Sequence, residues 1–149
     1  MSRTPSLALL TLIATLVTAC TPSEKPAILL EPPTVDLPAN YRLIAPAAAR
    51  DLIASNPRLQ LIDCRMEEEF VKSRLPGAHH ANYFEPEQMR ERMAALDPNR
   101  PCLIYCALGH RARSSALVLH ELGFAEVSIL DGGLTAWLKA GLPLTAATE

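Results

Sequence analysis

Pro101-Cys102-Leu103-Ile104-Tyr105-Cys106-Ala107-Leu108-Gly109-His110-Arg111 carries the pattern from which the rest of this 149-residue chain can be read. Pro101 to Tyr105 is a short continuous apolar run, as expected of a strand buried on both faces. The residues after Cys106 then curl over before a helix that begins near Arg111. From Ala112 the positions Ala116, Leu119 and Leu122 recur at helical spacing, and Gly123 stands where it can cap that helix. A buried strand feeding a tight loop and a helix is a repeating unit of a parallel α/β sheet.

The same alternation extends in both directions. Upstream, Tyr41 to Ala45 reads as a strand, and Pro46 opens a helix to about Ser55 that stops at Asn56-Pro57. Leu59 to Cys64 is a second buried strand, followed by a helix over Met66 to Val71 and a turn at Pro76-Gly77. Ala78 to Tyr83 is a further strand, and Glu85 to Leu96 a helix ending at Asp97-Pro98. Downstream, Val127 to Leu130 is a strand, Gly132-Gly133 breaks the chain, and Leu134 to Ala140 forms a last helix. The expected fold class is α/β, with a mainly parallel central sheet flanked by helices on both faces. Ligands in such sheets bind outside the carboxyl ends of the strands, where Asp63, Cys64, Arg65 and Cys106 fall.

The first 40 residues have another character. Arg3, a mostly apolar run from Leu7 to Val17 and the small residues Thr18 and Ala19 have the layout of an export signal, too short for the ~20 residues of a spanning helix. Leu16-Val17-Thr18-Ala19-Cys20 resembles a bacterial lipobox, which makes residues 1–19 a signal peptide and Cys20 the lipidated first residue of the mature chain. Cleavage removes only Arg3 from the fourteen basic residues, which against sixteen acidic ones takes the net charge from −2 to −3. Residues 20–40 contain Pro22, Pro26, Pro32, Pro33 and Pro38 and read as an extended tether for a domain at 41–149. The resemblance to a lipoprotein signal implies the bacterial cell envelope: the periplasm, with the membrane reached through a lipid on Cys20, and by the same resemblance Thr21 in place of Asp implies the outer membrane.

Composition limits the chemistry. The chain has no basic block that could neutralise a phosphate backbone, so nucleic acid is not an expected partner. Cysteines at 20, 64, 102 and 106 match no metal spacing. A strand from 102 to 106, rising ~3.3 Å per residue, holds those two sulfurs too far apart to bridge. Cys106 is different, because loop N–H groups and a helix N-terminus converge on its sulfur and Arg111 adds a positive charge nearby. Gly109 fits a loop that needs an unusual backbone angle. Cys106 is therefore the candidate nucleophile.

With these residues in hand, the chain from about Tyr41 to Pro143 resembles a single rhodanese domain of the sulfurtransferase family. Leu61-Ile62-Asp63-Cys64-Arg65 with Glu69-Phe70 is similar to that family's early Asp-x-Arg and Glu-Phe segment, and Leu75-Pro76-Gly77-Ala78 to its Pro-Gly-Ala turn. Cys106-x-x-Gly109-x-Arg111 resembles its active loop, and Gly123-Phe124, Asp131-Gly132-Gly133 and Trp137 its closing segment. The resemblance implies that Cys106 carries a persulfide and that the backbone of Ala107, Leu108, Gly109, His110 and Arg111 cradles the transferred group. It implies a small sulfur-containing donor, a thiol or cyanide acceptor, and no metal or organic cofactor. A cysteine-dependent phosphatase needs Cys-x5-Arg, but here the sixth residue after Cys106 is Ala112. The other function considered is a non-enzymatic persulfide carrier or interaction module on the same fold.

Several departures bear on the site. Ser73-Arg74-Leu75 stands where the family often has Gly-His-Ile, and Leu108 is bulkier than the serine or threonine common there. His110 is expected to face solvent, and His79 and His80 to be surface or turn residues. Arg65 with Glu69 is expected to form a structural ion pair. Cys102 and Trp137 read as core. Cys64 reads as a small buried side chain in place of valine, although a strand end near Cys106 would also suit it to resolve a persulfide as a disulfide.

Overall fold

The computed structural model describes residues 36–146. The expected signal segment 1–19, the expected lipidation site Cys20 and most of the expected tether lie outside the described residues, as do residues 147–149. Five strands form the main sheet: β1 (Tyr41–Ile44), β2 (Gln60–Asp63), β4 (His79–His80), β5 (Cys102–Tyr105) and β6 (Val127–Leu130). Their order is β1-β6-β5-β2-β4, and every adjacent pair is parallel. The helices are α1 (Pro46–Ser55), α2 (Glu67–Lys72), α3 (Pro86–Ala94), α4 (His110–Glu121) and α5 (Gly133–Lys139). This is the α/β architecture expected from the alternation of patterns.

Both faces of the sheet are covered, and the central strands β2, β5 and β6 are buried at every position. Ile62, Cys64, Cys102, Ile104, Cys106, Val127 and Ile129 face one layer, where they pack with Met89 and Met93 of α3 and Ala112, Ala116 and Leu119 of α4. Leu61, Leu103, Tyr105 and Leu130 face the other, with Ala49 of α1 and Leu134 and Trp137 of α5. Strand periodicity thus puts Cys64 and Cys106 on the α3–α4 side. Cys102 and Trp137 are core residues, as their sequence surroundings implied.

Three local expectations change. The strand expected over Ala78 to Tyr83 pairs only at His79–His80, since beyond it Asn82 accepts a bond from the Phe84 N–H at 3.1 Å and turns the chain into α3. A second, antiparallel pair joins β3 (Ser73–Arg74) to β7 (Thr145–Ala146), a contact between distant segments that no local pattern announces. His80 is buried, not a surface residue: its ring stacks on Phe70 at 4.6 Å, and Nε2 lies 2.8 Å from the Arg65 carbonyl. His79 is exposed, as expected.

The order of the strands places the site. From β2 the chain runs outward to β4 and then crosses back to β5 on the other side, so β2 and β5 flank a topological switch point. Their register pairs Ile62 with Ile104 and Asp63 with Tyr105, which sets Cys64 and Cys106 side by side at the carboxyl edge.

Candidate active site

Cys106 leaves β5 at the mouth of this crevice, and its sulfur is almost fully enclosed, at 1% exposure. The Gly109 N–H donates to Sγ at 3.0 Å. That bond needs the loop to double back over the sulfur, and Gly109 makes the turn at φ 94°, a conformation open to glycine and costly for other residues. The thiol is pulled down from its ordinary 9.0 to about 5. The largest cause is the neighbouring Cys64 side chain; burial opposes the shift, and the amides of Ala112, Leu108 and Gly109 favour it. Cys106 is therefore a thiolate at neutral pH.

Cys64 complements it. Its thiol is pushed well above the ordinary value, first by burial and then by the neighbouring Cys106. The backbone N–H of Cys64 bonds to the Tyr105 carbonyl at 3.0 Å, extending the β2–β5 ladder one residue and holding the two cysteines in register. Of the pair, Cys106 ionises and Cys64 keeps its proton, because backbone donors converge on Cys106 while the Cys64 thiol donates to the Tyr105 carbonyl at 3.0 Å.

The loop is aimed by α5. The Leu134 N–H donates to the Cys106 carbonyl at 2.9 Å and the Thr135 N–H to the Ala107 carbonyl at 3.0 Å. A trans peptide points its N–H opposite to its C=O. Drawing those two carbonyls toward α5 therefore turns the Ala107 and Leu108 N–H groups toward the inside of the loop. Such close docking requires a glycine at the first position of α5: a Cβ on Gly133 would overlap the Cys106 carbonyl oxygen and lie 2.6 Å from the Ala107 carbonyl. Gly132-Gly133 was legible as a chain break, but its place beneath the active loop was not.

The charged residues pair differently from the sequence expectation. Arg65 pairs with Asp63 and not with Glu69: Nη2 lies 2.6 Å from Oδ2, and the same guanidinium donates to the Ser73 carbonyl. Both side chains are buried, so this pair braces the turn into β3 and does not line the mouth. Glu69 instead receives Arg111 through two bonds, at 2.9 and 3.2 Å, and also accepts the Met66 N–H at the start of α2. Glu69 is held below the usual carboxylate range chiefly by Arg111. Arg111 is thus tied to a carboxylate, and the Cys106 thiolate owes its stability to Cys64 and the amides. The Arg111 guanidinium also lies 5.7 Å from the ring centroid of Phe84.

Among the loop residues, Leu108 is 58% exposed and His110 is exposed, while Ala107 and Arg111 are half-buried and Gly109 is buried. Glu69 and Phe84 are the site residues that sequence reasoning missed. Glu69 stood in a recognised motif but was paired with Arg65; Phe84 carries no local signal.

Comparison with known proteins agrees with this geometry. The rhodanese-like domain family matches residues 45–140. The chain is 34% identical over 104 residues to the thiosulfate sulfurtransferase GlpE of Actinobacillus succinogenes, covering 70% of this chain and 90% of that protein. It is 32% identical over 94 residues to the putative sulfurtransferase YtwF of Bacillus subtilis, covering 63% and 87%. Among solved structures, the polysulfide-sulfur transferase homodimer of Wolinella succinogenes is similar at a TM-score of 0.57 and 28% identity, over 72% of this chain and 80% of that one. The chain belongs to the rhodanese-like domain family and is an enzyme of the rhodanese sulfurtransferase type.

Proposed function

We propose that the protein is a periplasmic, lipid-anchored sulfurtransferase in which Cys106 takes sulfane sulfur from thiosulfate or a persulfide and hands it to a thiol or to cyanide. The observation that carries this reading is the Cys106 thiol, lowered to about 5 within a six-residue loop whose amides face inward. The names of the relatives, a thiosulfate sulfurtransferase and a polysulfide-sulfur transferase, support the class of donor.

With thiosulfate, the Cys106 thiolate attacks the outer sulfur. A sulfur–sulfur bond to Cys106 forms, the bond to the sulfonate sulfur breaks, and sulfite leaves with the electron pair. The enzyme is left as a persulfide anion, whose charge the amides of Ala107, Leu108 and Gly109 stabilise. Cyanide or a thiolate then attacks the outer sulfur and Cys106 departs as the thiolate, ready for another cycle. The α4 N-terminus, at His110 and Arg111, adds its positive end to the cradle. His110 is exposed at the start of α4.

The envelope location rests on the sequence alone: the export-type segment 1–19 and the lipobox-like run ending at Cys20. A lipid on Cys20 and a second acyl chain would hold the protein stably at a membrane. At ~3.1 Å per residue, the proline-rich tether would reach at most roughly 60 Å from the lipid if fully extended.

Intact mass after exposure to thiosulfate, polysulfide or glutathione persulfide is the test of the chemistry. Cys106 should gain one sulfur atom and lose it when cyanide or a thiol is added. A Cys106→Ser protein that still loads sulfur or turns over sinks the assignment. Loading without turnover on small acceptors would select the carrier alternative. For the anchor, Cys20→Ala should abolish membrane partitioning, and unchanged partitioning rejects it.

A further inference from the structure

We infer that Cys64 resolves the Cys106 persulfide, giving the enzyme a second activity: release of hydrosulfide with formation of a Cys64–Cys106 disulfide. The inference rests on the sulfurtransferase reading, which supplies the persulfide.

The fold places the two cysteines together. Ile62 faces Ile104 in the β2–β5 register, and two residues further along each chain stand Cys64 and Cys106, on the same face of the sheet. The Cys64 N–H to Tyr105 carbonyl bond at 3.0 Å keeps the strands paired up to that point. Adjacent parallel strands run ~4.8 Å apart, within the ~4.4–6.8 Å between Cα atoms that a disulfide spans. The Cys64 thiol donates to the carbonyl of Tyr105, the residue preceding Cys106, at 3.0 Å, which holds it at the end of β5. Cys64 lies on the neighbouring strand, outside the loop whose Gly109 amide donates to the Cys106 sulfur. Cys102, the remaining free cysteine among the described residues, has no such access: it sits at the far end of β5, against Gln60.

The chemistry balances without an external oxidant. Before loading, the Cys64 thiol keeps its proton and donates it to the Tyr105 carbonyl beside the Cys106 thiolate. After loading, the Cys106 sulfur is neutral and electrophilic, and Cys64 attacks it. The bond from Cys106 to the outer sulfur breaks, and that sulfur leaves with the electron pair and takes the Cys64 proton as hydrosulfide. Cys64 is oxidised to the disulfide level while the outer sulfur is reduced to sulfide. An external thiol or dithiol then reduces the disulfide and restores the thiolate. A persulfide that meets an acceptor passes its sulfur on; one left waiting is cleared, and the site is parked as a disulfide.

The test loads the mature wild-type protein with polysulfide, removes the excess, and follows intact mass, free sulfide and peptide maps without added acceptor. Expected is loss of the added sulfur together with two hydrogens, stoichiometric sulfide, and a Cys64–Cys106 linked peptide. In Cys64→Ser and Cys64→Val the added sulfur should persist and no sulfide should appear. The inference is overturned if wild type keeps its persulfide as long as those variants do, or if sulfide appears without the linked peptide. A wild-type protein that gains no sulfur and forms no disulfide is a different failure, one that overturns the sulfurtransferase reading itself. If neither variant folds, the wild-type peptide map decides by the presence or absence of the link.

Discussion

Replacing Cys64 by valine should raise the Cys106 pKa from about 5 to between ~6 and ~7. Valine is apolar and close in size, so the buried site keeps its packing but loses the polar thiol beside Cys106. A hydrogen bond to a charged group contributes ~1.5–3 kcal/mol, which at ~1.36 kcal/mol per unit corresponds to about one to two pKa units. The full displacement, from 9.0 to about 5, is larger than that single bond supplies. The remainder falls to the amides of Leu108, Gly109 and Ala112, which the variant retains. The assay is the ultraviolet absorbance of the thiolate as a function of pH, taken as a difference from the corresponding Cys106→Ser protein so that other groups cancel. Cys64→Ser keeps a donor and should titrate near wild type. If Cys64→Val titrates at the wild-type midpoint, the amides alone set the pKa and the role given to Cys64 is wrong.

Three further outcomes follow from the same geometry. Gly133→Ala would force a Cβ against the Cys106 and Ala107 carbonyls and should cost ~1–3 kcal/mol; thermal unfolding should fall by several degrees, and the Cys106 midpoint should rise because the loop amides lose their aim. Glu69→Gln would release Arg111 from its two carboxylate bonds, so KM for an anionic donor should fall relative to that for an uncharged persulfide; equal changes for both donors would count against it. Finally, the Cys106 pKa is lower in the folded than in the unfolded chain, so the stability it contributes is fully present above 9.0 and lost as pH falls toward 5. Denaturant titration between those values should give wild type a gain over Cys106→Ser of ~1.4 kcal/mol per pH unit, and parallel profiles would refute the depressed thiol.

The loop owes its reactivity to neighbours on three separate elements. The strand β2 brings Cys64, the start of α5 turns the loop amides, and α2 holds Glu69 for Arg111. None of these contacts is local. A cysteine in the same eleven-residue stretch, cut from the fold, would have the flexible loop and the arginine but neither the neighbouring thiol donor nor the fixed amides. It would titrate as an ordinary thiol.

The sequence by itself determined the α/β class, the one strand–loop–helix unit that bears the nucleophile, and the six-residue loop length that separates sulfur transfer from phosphatase chemistry. These are local properties: apolar runs, helical spacing, glycines at turns and the count from Cys106 to Arg111. Only the tertiary structure decided the partners. Glu69 and Arg111 are 42 positions apart, and nothing in their local patterns distinguishes that pair from Glu69 with Arg65; Asp63 took Arg65 because both are buried together behind β3. His80 reads as a turn residue until Phe70 and the Arg65 carbonyl enclose it. Above all, the sequence could place Cys64 at a strand end, but its contact with Cys106 required the parallel register of β2 and β5. Register is set by how whole strands pack on α3, α4 and α5, and packing is a property of the assembled chain.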